Sequence, residues 1–216
     1  MAALFPSWSN TALRVGIVGF VLTALGIPTA LCIYVRTPYV TNQGFTVGQP
    51  VMFDHRHHVD DDGIDCRYCH ATVETSPYAS IPPIATCMNC HNQVWNQSAM
   101  LEPVRRAWFT GQPIAWKKVN QLPDFVYFNH SIHVTRGIGC ITCHGRVDQM
   151  AQIFQVQPLT MGWCLGCHRD PGPDLRPRDQ ITSMTWQPEG DREALAARLE
   201  RSYGTRKLTN CTTCHR

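Results

Sequence analysis

The apolar positions of this chain are distributed unevenly: one long run near the N-terminus, then no sustained periodicity. Residues 15–35 are 21 consecutive uncharged, mostly apolar positions bracketed by Arg14 and Arg36. At 1.5 Å of rise per residue the run makes roughly 30 Å of helix, the thickness of a bilayer's hydrocarbon core. The pattern predicts a cytoplasmic stub and transmembrane anchor over residues 1–36. A cleaved leader would have a shorter apolar stretch and then a small-x-small site; Pro28-Thr29-Ala30 matches that poorly, and Leu31 before Cys32 does not suit a lipoprotein. Pro28 predicts a kink, and Cys32 reads as an apolar filler. Beyond residue 37 only two segments show helical spacing. One is 98–110, stopped by Gly111 and limited by Pro103; the other is 191–203, with Leu195 and Leu199 on one face and Gly204 as its stop. Residues 171–177 read as loop, and no alternating run supports a strand. The expected fold is mainly coil with short α-helices, plus one N-terminal transmembrane helix.

Composition explains why so little pattern remains. The 216 residues include 11 cysteines and 10 histidines. Ten of the cysteines form Cys-x-x-Cys pairs, each followed directly by His: Cys66, Cys69 and His70; Cys87, Cys90 and His91; Cys140, Cys143 and His144; Cys164, Cys167 and His168; Cys211, Cys214 and His215. Chance would supply on the order of 0.02–0.03 such pentapeptides at these frequencies. In such a motif each thiol adds to a haem vinyl group and the imidazole ligates the iron, so five copies predict five covalently attached haems c. A disulfide framework does not require His after every second Cys, and zinc ribbons use Cys-x-x-Cys units in twos, which leaves a fifth unpaired. A formal charge of +3 without a basic run gives no sign of a nucleic-acid partner. One Arg at each end leaves the anchor unoriented by charge. Haem c is attached outside the cytoplasm, so residues 37–216 are expected on the periplasmic side. Packed haem is expected to take the place of a conventional side-chain core.

An internal repeat organises those 180 residues. Phe53, His55, His58, Gly63 and Ile64 precede the first motif as Phe128, His130, His133, Gly137 and Ile138 precede the third, with one extra residue in the Asp60-Asp61-Asp62 stretch. Two dihaem modules follow, 53–91 and 128–168, with the fifth haem at 211–215. Low-spin haem iron takes a sixth ligand, and each module supplies two haems and two spare histidines. His57 reads as an exposed neighbour. One haem then lacks a distal histidine, and Met161 and Met150 are the candidates for it, with the choice left open; Met52, Met88, Met100 and Met184 are more simply packing residues.

The Phe-x-His-x-x-His element resembles that of the small cytochrome c3/c7 group. That resemblance implies that His55 caps the Cys66 haem and His130 the Cys140 haem, while His58 and His133 reach two others. Four longer stretches carry a further likeness: Ile64-Asp-Cys-Arg-Tyr-Cys-His70, Thr86-Cys-Met-Asn-Cys-His-Asn-Gln-Val-Trp95, Leu122-Pro-Asp-Phe-Val-Tyr-Phe-Asn-His-Ser-Ile-His133 and Met161-Gly-Trp-Cys-Leu-Gly-Cys-His-Arg169. Over about residues 13–185 the chain resembles the pentahaem subunit of alternative complex III, a bacterial quinol:electron-acceptor oxidoreductase. The resemblance implies iron–sulfur and polytopic membrane subunits as partners, and a periplasmic monohaem cytochrome or copper protein as electron acceptor. A NapC/NrfH-like quinol dehydrogenase is the main alternative. A multihaem reductase needs an iron with an open position, whereas four histidines and a methionine would fill all five, so electron transfer rather than substrate chemistry is expected.

Overall fold

The computed structural model describes residues 4–216, so the first three residues of the predicted stub lie outside it. The chain divides into two compact units, one ending at Asn42 and one comprising Gln43–Arg216. In the first, α1 (Ser9–Tyr34) is followed by the single turn α2 (Pro38–Thr41). Helix α1 is long and apolar enough to cross a membrane, runs on through Pro28 and buries none of its residues.

The second unit consists of short helices, each fixed by local chemistry. They are α3 (Cys66–Cys69), α4 (Ile84–His91), α5 (Glu102–Thr110), α6 (His130–Thr135), α7 (Cys140–His144), α8 (Met161–Arg169), α9 (Arg192–Tyr203) and α10 (Cys211–Cys214). Side-chain oxygens cap four of them: Asp65 accepts from Arg67 N, Asn129 from Ile132 N, Thr160 from Trp163 N, and Asp191 from Glu193 N and Ala194 N. The two segments with helical spacing are both helical. Asp191 caps α9 and Gly204, at φ +60°, ends it. A 3-10 turn, Ala99–Leu101, leads into α5, where Pro103 lies in the first turn. There its missing N–H leaves no bond unmade, so it starts the helix instead of limiting it. The 171–177 loop contains one 3-10 turn, Gly172–Asp174. Among the described residues there are no strands, only isolated bridges joining Gln43 to Gln155, Thr46 to Phe154 and Ile138 to Leu175.

The extra residue of the first module becomes a π-helical turn, Arg56–Asp61, closed by Asp62 N on His57 O at 3.0 Å. Its counterpart in the second module is the ordinary helix α6. Both segments then end alike: Ile64 N binds His58 O at 2.9 Å and Ile138 N binds His133 O at 3.0 Å. The wider turn thus absorbs one residue and leaves the histidines and the motif in corresponding places.

The side-chain core is slight. Buried apolar residues among those described are Val51, Val104, Ala107, Val134, Met150, Leu175, Ile181, Met184 and Leu199, and no large side chain is completely enclosed. A domain of this length ordinarily buries far more.

Candidate haem-binding site

Each Cys-x-x-Cys pair occupies one helical turn, which sets its two thiols on the same face with the His directly after. The eleven cysteines form no disulfide. Burial pushes the thiols of Cys143 and Cys167 up to about 12, with Asp174 adding to the rise at both. Burial likewise raises Cys69, Cys87 and Cys164. The Cys66 and Cys140 thiols share a hydrogen bond that lowers the first and raises the second. At neutral pH the raised thiols are uncharged, and none is tied up in a disulfide, so each is free to add to a vinyl group.

The histidines come in facing pairs. Ring centroids are 6.2 Å apart for His58 and His91, 6.0 Å for His133 and His168, and 6.4 Å for His130 and His144. One metal ion holding two imidazoles through Nε2 at about 2 Å each would set the centroids roughly 6 Å apart. His55 lies beside His70; burial first, and then the His70 charge, lowers its pKa to about 4. His144 also falls to about 4, mainly by burial, and burial lowers His130 and His133. All four are neutral imidazoles at physiological pH, the form that can ligate.

Backbone carbonyls decide which ring nitrogen is free. Nδ1 lies 2.8 Å from Asp54 O in His58, 2.7 Å from Ser80 O in His70, and 3.0 Å from Val94 O in His91. The same contact measures 2.9 Å to Pro77 O in His130, 2.7 Å to Asn129 O in His133, and 3.1 Å to Phe125 O in His215. A carbonyl only accepts, so the proton sits on Nδ1 and the lone pair on Nε2. These six partners are backbone atoms, which residue-type reasoning could not have found. The Asn120 amide stands 3.3 Å from His144 Nδ1, and buried His55 Nδ1 has no partner.

One phenyl ring orients each distal pair. Phe53 meets His55 edge-on at 4.7 Å and stacks on His58 at 4.3 Å; Phe128 does the same with His130 at 4.7 Å and His133 at 4.5 Å. His58 and His133 thus face the second motif of their own module. His57 is different: its Nδ1 lies 3.2 Å from Asp61 and its Nε2 3.7 Å from Asp62, so carboxylates engage both nitrogens. The two methionines separate by burial. Met150 is 7% exposed, whereas Met161, the first residue of α8, is 66% exposed. Cys164, one turn along α8 from Met161, lies near Cys214 of the fifth motif.

Comparison with known proteins agrees with this chemistry. The family model described as "Outer membrane cytochrome MtrC/MtrF-like, domains II/IV" matches residues 56–216. The chain is also 33% identical over 101 residues to the menaquinone reductase multiheme cytochrome c subunit of Nitratidesulfovibrio vulgaris. That alignment covers 44% of this chain and 45% of the relative, so less than half of either protein is matched.

Proposed function

The chain belongs to the MtrC/MtrF-like family of multihaem c-type cytochromes, and on that premise we propose that it is a membrane-anchored electron-transfer subunit carrying five haems c. Membership implies covalently bound haem c, which supplies reversible one-electron iron chemistry. The facing imidazole pairs carry the reading, because their spacing fits an iron between them and a carbonyl on Nδ1 leaves Nε2 free in His58, His91, His130 and His133.

The residues act by holding and orienting. Ten motif cysteines form the thioethers, from Cys66 and Cys69 to Cys211 and Cys214, and the five following histidines are proximal ligands. His55, His130, His58 and His133 are the distal ligands opposite His70, His144, His91 and His168. Carbonyl bonds to Nδ1 fix ring orientation and raise ligand basicity at His58, His70, His91, His130, His133 and His215. Met161 is the distal ligand opposite His215: its thioether is not enclosed by protein, and Cys164 of its helix lies near Cys214 of the fifth motif. Met150 is a packing residue.

Helix α1 is the anchor and sets the haem unit at the periplasmic face of the cytoplasmic membrane. The relative's description as a menaquinone reductase subunit supports a place in a quinone-linked membrane complex. With the motif resemblance, that favours an alternative complex III-type assembly, in which iron–sulfur and polytopic subunits deliver electrons and a periplasmic cytochrome c or copper protein takes them. Pyridine haemochrome analysis of the holoprotein is expected to give five haems c per chain. In low-temperature EPR, His58→Ala and His133→Ala should each remove one low-spin bis-His signal while keeping all five thioether attachments. Unchanged spectra in both variants would refute the ligand assignment.

A further inference from the structure

The five attachment motifs, numbered in chain order, touch in a different order. The second touches the first directly, because Asn89 Nδ2 donates to Tyr68 Oη at 3.0 Å. The first and third are joined in two places. In one, a single loop holds both sets of ligands: Ser80 O binds His70 Nδ1 at 2.7 Å, while Pro77 O binds His130 Nδ1 at 2.9 Å and His130 N at 3.1 Å, and Ser76 O binds Ser131 N at 3.2 Å. In the other, Thr182 Oγ1 donates to Asp65, the cap of α3, at 2.8 Å, and neighbouring Ile181 O accepts from Cys140 N at 3.0 Å. The third and fourth share Phe128 through His130 and His133. The fifth hangs on the segment leading to that ring, with Cys214 O accepting from Tyr127 N at 2.8 Å and Phe125 O from His215 Nδ1 at 3.1 Å.

From these contacts we infer that the chain sets its haem-attachment motifs in the spatial order second, first, third and fourth, with the fifth held against the second module. The two modules therefore meet at their first motifs, and the second motif stands at one end as a point of electron exchange. The inference deepens the five-haem reading and rests on it.

Charge repulsion between reduced sites supplies the test, because it weakens with separation. A His→Met ligand exchange keeps the site filled but raises its potential, so it holds an electron earlier in a reductive titration. That electron lowers the potential of its spatial neighbours. EPR-monitored titrations would use the full-length holoprotein in detergent, with five haems verified in every variant. The low-spin signal lost in His130→Met identifies the third site. Its midpoint is expected to fall in His55→Met, which alters the first site, and to stay in place in His58→Met, which alters the second. A fall in His58→Met without one in His55→Met would show that the motifs follow chain order. A fall in both, or in neither, would also overturn the inferred order while leaving the ligands intact. If His130→Met removes no signal, the ligand reading fails, and the order fails with it.

Discussion

The two repeat modules place a phenyl ring and two imidazoles almost identically, yet their surroundings differ. In the second, the would-be Cβ of Gly137 meets the Tyr203 ring at 2.5 Å and Arg176 O at 2.9 Å, and that of Gly139 meets the Arg176 side chain at 2.5 Å. In the first, Gly63 has nothing within 4 Å, and Cys90 of the second motif is exposed. The ligand geometry is local, set by Phe-x-His-x-x-His within about one helical turn, so duplication reproduces it. Packing comes from elsewhere, here from 172–203, which crowds Gly137 and Gly139 of the second copy and meets the first at Asp65 through Thr182. Duplication therefore yields equal histidine pairs in unequal environments, and for the proposed haems environment is a main determinant of potential.

The comparison breaks most visibly at its glycines. Gly63 and Gly137 both have positive φ, +68° and +87°, where a side chain is strained. Gly63→Ala adds only that strain, about 1 kcal/mol. Gly137→Ala must also displace Tyr203 and Arg176 O, which raises the cost to about 2–4 kcal/mol. Thermal unfolding followed in the Soret band should show the second variant melting well below the first. Equal midpoints would mean that 172–203 does not press on the second module.

A smaller effect is expected from exchanging turn lengths. Deleting Asp61 should convert the π turn to an α-helical one at a cost of about 1 kcal/mol or less, since the exposed Asp60-Asp61-Asp62 stretch can close up. Inserting one Asp after Thr135 asks the second module to form the wider turn beneath Arg178, whose Nε binds Thr135 O at 3.1 Å. About 2 kcal/mol is expected there. Thermal midpoints, together with an EPR count of bis-His signals, check both variants; an insertion as mild as the deletion would show that the two turns are interchangeable.

The five Cys-x-x-Cys-His units are legible in the sequence because thioether chemistry would demand those residues at fixed short spacing, and each is a single helical turn in the fold. The histidine pairs that meet the motif histidines are legible too, since each Phe-x-His-x-x-His element lies within one turn. The surplus residue at 60–62 could be counted, but a loop would absorb it as readily as a π turn. That His58 faces His91 depends on where the chain returns 33 residues later, which local pattern does not encode. Met150 and Met161 looked alike because burial of the former is contributed by distant segments. Pro103 was readable, but its rigid φ starts a helix in the first turn and disrupts one further in.

The smallest difference concerns the caps of the first motif in each module. Asp65 caps α3, and its carboxylate also binds the Arg67 guanidinium at 2.9 Å and the Thr182 hydroxyl at 2.8 Å. Gly139 holds the matching place before α7 and offers no side-chain cap. The Arg67 hydrogen bond is the main cause that lowers the Asp65 pKa from 3.8 to about 2. A carboxylate with a depressed folded-state pKa stabilises fully above its unfolded value and loses that contribution as the pH falls towards the folded value. The contribution is therefore complete above pH 4 and fades between about pH 4 and pH 2. Because Asp65 is 43% exposed, solvent screening limits it to under about 1 kcal/mol. Asp65→Asn keeps a weaker cap and removes the charge, so holoprotein stability should become flatter over that interval and slightly lower at pH 7. Midpoints at pH 2.5, 4 and 7 measure this directly. An unaltered pH slope in the variant would assign the acid response to other carboxylates and leave the two caps equivalent in effect.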